Sequence, residues 1–350
     1  MHLLPFIRKL VSVLGLVFII TSGWLCYITS TVTGNGMINH SDGSLSHSLS
    51  IAGNRDGSSS LVNPDQSGLP DDSDLQQLTQ GLHPGRGDPI PDAKDVHELP
   101  VMDVSFHNKR GNILSGWLAI RSPLVPVIIL THGTPGNRLS MVQRAAFLYN
   151  HGYNVLLFDF QSYGRSQGIM STLGMVESED ILAAIDYLHA FPDTAHSKIG
   201  VLGLSMGATA AALAASKTND ISALVLESCP VDATHVPGDV ADDTARDADK
   251  QLVEKVYGVD ITKARPIDVV GNLPGHPAIF FIDGDADTTT PLAGMQELFQ
   301  AAGNPKQYWV VPTADHAQSF DVDTAGYMAK IDAFFDTYLS YSVRLKYFVT

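Results

Sequence analysis

Cysteine is scarce in this chain: two residues, Cys26 and Cys229, among 350. That excludes a disulfide-stapled scaffold and a cysteine-ligated structural zinc. Basic residues are also in short supply. There are 22 Lys and Arg against 37 Asp and Glu, a formal charge of −15. A protein that neutralises phosphates needs a basic surplus, so nucleic acid is excluded as a partner. Charged residues make up 17% of the chain and hydrophobic residues 44%, which is too apolar for disorder throughout. No internal repeat is present, which sets aside solenoids and propeller arrays.

Charge of either sign is missing altogether from Leu10 to Ile28, LVSVLGLVFIITSGWLCYI. As a helix this run would rise about 28 Å, near the thickness of a bilayer's hydrocarbon core. Arg8 and Lys9 precede it and the next basic residue is Arg55. The positive-inside rule then expects residues 1–9 in the cytoplasm, 10–28 as a transmembrane signal anchor and the remainder exported: periplasmic, lumenal or extracellular. A cleaved signal peptide is the competing reading. Residues 29–98 are poor in apolar side chains and rich in Ser, Gly, Asn, Asp and Pro, and are expected to be a disordered linker.

From Leu99 the texture changes to alternating strand-like and helix-like runs, the pattern of a βα repeat on a largely parallel sheet. Val101–His107 and Ile113–Ile120 read as an antiparallel pair. The continuous apolar run Val125–Leu130 reads as a strand buried on both faces. A helix over Leu139–His151, strand Asn154–Phe158, helix Val176–Ala190, strand Lys198–Leu204, helix Met206–Ser216 and strand Ala223–Leu226 follow. Strand Ala278–Ile282, helix Leu292–Ala302, strand Gln307–Val311 and helix Ala317–Leu339 complete an α/β domain over residues 99–340, ahead of a tail at 341–350. Residues 229–272 form an acidic insertion, expected to cap the region over Ser205 with one or two short helices.

Chemistry concentrates in a few places. Gly203-Leu204-Ser205-Met206-Gly207 fits G-x-S-x-G, with an apolar strand running in and a small-residue helix running out, the setting of a nucleophile elbow. Flanking glycines leave room for a serine held in a strained turn, and the helix N-terminus favours developing negative charge. A serine nucleophile needs a base. Three histidines follow Ser205: His235, His276 and His316. His235 has no strand nearby, and His276 precedes a strand at the wrong end of a parallel sheet. His316 follows strand Gln307–Val311 at the end where Ser205 emerges, so it is the expected base. The acid is expected among Asp283, Asp285 and Asp287, which leave strand Ala278–Ile282. Asp287, in the bend past Gly284, is preferred, with Asp285 as the alternative. Its role would be to hold the imidazole tautomer and stabilise imidazolium. Two backbone N–H groups could hold an oxyanion: Met206, after the nucleophile, and Thr134, in Thr131-His132-Gly133-Thr134-Pro135-Gly136. Pro135 has no N–H to offer. His132 reads as a residue that shapes this turn.

With these residues in place, the chain from Leu99 to Leu339 resembles the α/β-hydrolase superfamily, in the branch of BEM46-like proteins, dienelactone-hydrolase-like esterases and serine aminopeptidase-type hydrolases. The matching motifs, in order, are His132-Gly133, FDFQSYGRSQG at Phe158–Gly168, GLSMG, GDADTTTP at Gly284–Pro291 and Asp315-His316. Gln161 and Ser162 stand where the family commonly has Arg and Gly, and Asp315 stands where it usually has Gly. The resemblance implies an α/β-hydrolase fold with a mostly parallel eight-stranded sheet, a Ser205–His316–Asp287 triad, and no metal or organic cofactor. Residues 1–98 are too few for the β-propeller of the gated oligopeptidases. The function expected is hydrolysis of a small-molecule carboxylic ester or thioester by a membrane-tethered serine hydrolase. Amide hydrolysis of the aminopeptidase type and a catalytically silent binding module are the alternatives. Oligomeric state is not legible.

Overall fold

In the computed structural model, which describes residues 89–96, 98–123, 125–235 and 243–340, the apolar run VIILT is an interior strand of the sheet. This strand, β3 (Val127–Thr131), is buried along its whole length. It pairs in parallel on both sides, with β4 (Asn154–Phe158) and β5 (Ile199–Leu204). A strand with a partner on each edge and helices on each face has no solvent side, which is why its sequence does not alternate.

Five further strands extend the sheet. β1 (Met102–His107) and β2 (Ile113–Ala119) form an antiparallel hairpin that joins β4, also antiparallel. On the other flank β6 (Ile221–Glu227), β7 (Ala278–Gly284) and β8 (Lys306–Val311) add in parallel. The order across the eight-stranded sheet is β1-β2-β4-β3-β5-β6-β7-β8. This is an α/β-hydrolase fold.

Successive strand residues point to opposite faces, and the core divides accordingly. Val127, Ile129, Leu156, Val201 and Phe281 pack with helices α2 (Glu177–Ala190), α3 (Met206–Ala215) and α5 (Leu292–Ala301). Ile128, Leu130, Leu157, Leu202 and Phe280 pack with α1 (Val142–Asn150) and α7 (Thr324–Leu339). Between these, α4 (Asp243–Tyr257) lies in the insertion and α6 (Ser319–Val322) is a single turn.

The helix expected over 139–151 starts with a 3₁₀ turn, Arg138–Met141, capped by the Asn137 side chain, before α1 begins. The helix expected over 317–339 is two helices. Ala317 sits at φ 63, outside any right-handed helix, and Asp323 breaks the run at φ −134 and caps Gly326. The insertion forms α4 and two 3₁₀ turns, Ile261–Lys263 and Pro266–Asp268. Its Val253, Tyr257 and Ile261 pack on Val176, Ile169 and Met170. Among the described residues no helix is long and apolar enough to cross a membrane. The anchor expected over 10–28, residues 29–88 of the linker expected over 29–98 and the tail at 341–350 lie outside the described residues; the last residues of that linker are ordered, with a 3₁₀ turn at Ala93–Asp95 and Ile90 buried.

The order of connection places the site. From β3 the chain passes to β4 on one side, then returns to β5 on the other, so β3 and β5 flank a topological switch point. A crevice opens outside the carboxyl ends of the strands at such a point. There β3 runs into Thr131–Gly136 and β5 into Ser205.

Candidate active site

Ser205 caps α3 with φ 54 and ψ −116, a conformation that is costly for a residue with a side chain. Its surroundings hold it there. The Ser205 N–H donates to the Glu227 carbonyl at 2.9 Å, and the Ser205 carbonyl accepts from the Ala208 and Thr209 N–H groups at 2.9 and 3.1 Å. Gly207 is required because a Cβ would strike the Thr131 carbonyl oxygen at 2.5 Å. The close approach that glycine permits brings the His132-Gly133 turn onto the elbow.

His316 lies in the loop after β8. Its backbone N–H donates to Asp315 Oδ1 at 2.7 Å, so Asp315 binds the main chain of the turn. The ring, 23% exposed at its side chain, joins two other groups. Nδ1 is 2.8 Å from Asp287 Oδ2 and Nε2 is 2.9 Å from Ser205 Oγ. A carboxylate only accepts, so Nδ1 carries the hydrogen and Nε2 is free to accept from the serine hydroxyl. Ser205, His316 and Asp287, far apart in sequence, are thus joined in one hydrogen-bonded line.

Asp287 is held by donors from the bend that carries it. Oδ1 accepts from the Thr289 and Thr290 N–H groups at 2.9 and 2.7 Å, and Oδ2 also accepts from the Thr290 hydroxyl at 2.7 Å. Burial pushes this carboxyl up, but the His316 ring and the Thr290 donors outweigh it and hold it below the usual carboxylate range. The alternative, Asp285, points elsewhere: its Oδ1 accepts from the Thr313 N–H at 2.6 Å and so braces the histidine loop. Asp283 stays inside β7, buried beside Asp287.

The turn after β3 carries Thr134 next to the elbow. A Cβ on Gly133 would lie 3.2 Å from Ser205 Cβ and 3.8 Å from its Oγ, so the main chain on either side of Gly133 borders Ser205. The Tyr163 hydroxyl donates to Thr134 Oγ1 at 3.0 Å and lies 3.2 Å from Met206 Sδ, touching both residues expected to hold an oxyanion. His132 is buried, and burial lowers its pKa. Its Nδ1 donates to the Gly133 carbonyl at 2.7 Å and its Nε2 accepts from the Phe160 N–H at 3.2 Å, which shapes the turn from within. His235 is exposed and pairs with Asp232 at 3.3 Å. His276, at φ 50, precedes β7 at the opposite end of the sheet. Among the described residues, no group of three His, Cys, Asp or Glu side chains is arranged to hold a metal ion.

Several supporting residues escape sequence reasoning: Tyr163, Ser228, Glu227 and Thr290. Thr290 alone carries a signal, since a threonine three residues past an aspartate suits an Asx-type turn. The insertion approaches indirectly. The Tyr257 hydroxyl donates to the Met170 carbonyl at 2.8 Å and accepts its N–H at 3.0 Å, and the adjacent Ser171 hydroxyl lies 3.4 Å from Met206 Sδ.

Residues 139–342, more than half of the chain, match the prolyl oligopeptidase family. Among curated proteins, the Mycobacterium tuberculosis protein Rv2307c is 29% identical over 236 residues, which cover 65% of this chain and 76% of that one. Protein bem46 of Schizosaccharomyces pombe is 35% identical over 104 residues, covering 29% and 34%. Among solved structures, the Pyrococcus furiosus esterase Pf2001 superposes with a TM-score of 0.60 at 23% identity, over 74% of this chain and 100% of that one, a likeness of fold.

Proposed function

The chain belongs to the prolyl oligopeptidase family, and from that premise we propose that it is a serine hydrolase acting on carboxylic esters or thioesters through an acyl-enzyme on Ser205. The observation that carries this reading is the line Ser205 Oγ–His316 Nε2 at 2.9 Å and His316 Nδ1–Asp287 Oδ2 at 2.8 Å. The Ser205 hydroxyl adds to the substrate carbonyl while His316 Nε2 takes its proton. The oxyanion is held by the N–H groups of Met206 and Thr134. Collapse of the tetrahedral intermediate expels the alcohol or thiol, which takes the proton back from His316. Water repeats the two steps and frees the acid. Asp287, held ionised, stabilises the imidazolium. This chemistry calls on no metal or organic cofactor.

A fluorophosphonate probe tests the reading: labelling of the wild type and none of Ser205→Ala is expected, and equal labelling of both sinks it. The family match also favours amide hydrolysis as a second reading. Parallel turnover of p-nitrophenyl acyl esters and amino-acid anilides separates the two. Retention of biological function by Ser205→Ala would instead point to a silent binding module. In the same proposal residues 10–28 anchor the catalytic domain outside the cytoplasm. A mature N-terminus near residue 30 would make the protein secreted.

A further inference from the structure

Asp283 is the next-to-last residue of β7, and its side chain is wholly buried. One carboxyl oxygen, Oδ1, accepts from the Gly284 N–H at 2.9 Å and from the Ser228 hydroxyl at 3.4 Å. The other, Oδ2, is buried with no donor directed at it. Asp287 lies within hydrogen-bond reach. An ionised Asp283 would therefore leave a bare buried oxygen and set a second negative charge against the carboxylate that faces His316, both costly. A protonated Asp283 removes both penalties, because its O–H is a donor and Asp287 is an acceptor.

We propose that Asp283 is a positioning residue, held as a neutral carboxylic acid that donates its proton to Asp287 and so fixes that carboxylate against His316. The inference rests on the triad reading given above. A second link acts on the same histidine. The Ser228 hydroxyl that donates to Asp283 accepts from the Ala317 N–H at 3.1 Å, so Asp283 also braces the residue following His316. Among the described residues, the ionisable groups that interact with Asp283 are Asp287, in the bend past β7, and the Cys229 thiol after β6, with the His316 ring on Asp287 beyond them. Cys229 is buried, and burial pushes its thiol up, so it stays neutral. Burial and the Asp287 charge push the Asp283 carboxyl up to about 8.

The pH profile of kcat/KM for a p-nitrophenyl ester, measured on the full chain, tests the proposal. Above pH 8 Asp283 ionises, repels Asp287 and withdraws its donor, so the wild type should show an alkaline limb there. Asp283→Asn keeps a neutral donor and cannot ionise, so it should hold most of the kcat and lose the limb. Asp283→Ala has no donor, and kcat should fall about tenfold with little change in KM. Superimposable profiles for wild type and Asp283→Asn overturn the inference, as does full kcat in Asp283→Ala. The infrared C=O band of a protonated carboxylic acid reads the proton without turnover. The band should be present in the wild type at pH 6 and weaker in Asp283→Asn, and an unchanged band overturns the inference. A band that weakens as expected in a protein without ester turnover supports the Asp283 assignment and counts against the proposed function instead.

Discussion

The Ser205 N–H donates to the Glu227 carbonyl at 2.9 Å, while the Glu227 carboxylate, on the same residue, is held from the other side of the sheet end by Arg144 and Tyr327. Arg144 Nη2 spans both carboxylate oxygens at 3.1 and 3.2 Å, and the Tyr327 hydroxyl donates at 2.6 Å. All three side chains are buried, and Phe320 and Tyr327 place their rings against the guanidinium. The cluster ties α1 and α7 to the strand that supports the elbow. Arg144→Met would leave the Glu227 charge buried and unpaired, which typically costs about 3–5 kcal/mol. A fall of that order in the free energy of urea unfolding is expected. Arg144→Met combined with Glu227→Gln removes both charges and should recover much of it.

Asp287→Asn tests the line from the acid to the serine separately from the fold. The amide can donate toward Nδ1, which favours the tautomer with hydrogen on Nε2, and that ring cannot accept the serine proton. In a triad of this geometry kcat is expected to fall about 10⁴-fold. Ester turnover and fluorophosphonate labelling should fall together, while the circular dichroism melt stays cooperative. Wild-type labelling rates in Asp287→Asn would remove Asp287 from its assigned role.

How far the sequence reaches follows from what each feature depends on. β3 is legible because burial on both faces leaves one kind of residue along it, and Ser205 because its turn admits glycine alone at neighbouring positions. His316 and Asp287 follow from chain order and from which end of a parallel strand each loop leaves. The break at Asp323 hides inside an apolar period, since Ala317–Leu339 has helix-forming residues on both sides of it. Glu227 reads as an ordinary strand end, and Asp283 only as one of three candidate acids. Their importance arises from residues that pack against them from distant parts of the chain, which no local pattern records.

Glycine placement distinguishes access from folding. A Cβ on Gly133 would approach the Leu204 carbonyl and Ser205 Cβ at 3.2 Å, a contact that neighbours can relieve by a few tenths of an ångström. A Cβ on Gly207 would meet main-chain oxygens of Thr131 and His132 at 2.5 and 2.6 Å, where nothing can yield. Gly133→Ala should fold with a melting temperature near wild type and label slowly, as the added methyl crowds the oxyanion side of Ser205. Gly207→Ala should be recovered poorly in soluble form. A thermal melt and a labelling time course on each protein check both outcomes.

The two neighbouring carboxyls give stability opposite dependences on pH. Asp287 is held below its ordinary value, so its contribution is complete above the unfolded pKa and is lost as pH falls through the folded one. Asp283 is raised from 3.8 to about 8, so the folded state binds a proton that the unfolded chain has released. Its contribution is complete below the unfolded value and is lost as pH rises toward 8, by up to about 1.4 kcal/mol per unit. Asp180, buried and pushed up in the same direction, adds a parallel slope to wild type and variant alike and cancels between them. The difference in urea-unfolding free energy between wild type and Asp283→Asn should therefore move steadily against the wild type from pH 5 to pH 8 and level off above. A difference that is constant across that range would mean that Asp283 takes up no proton on folding.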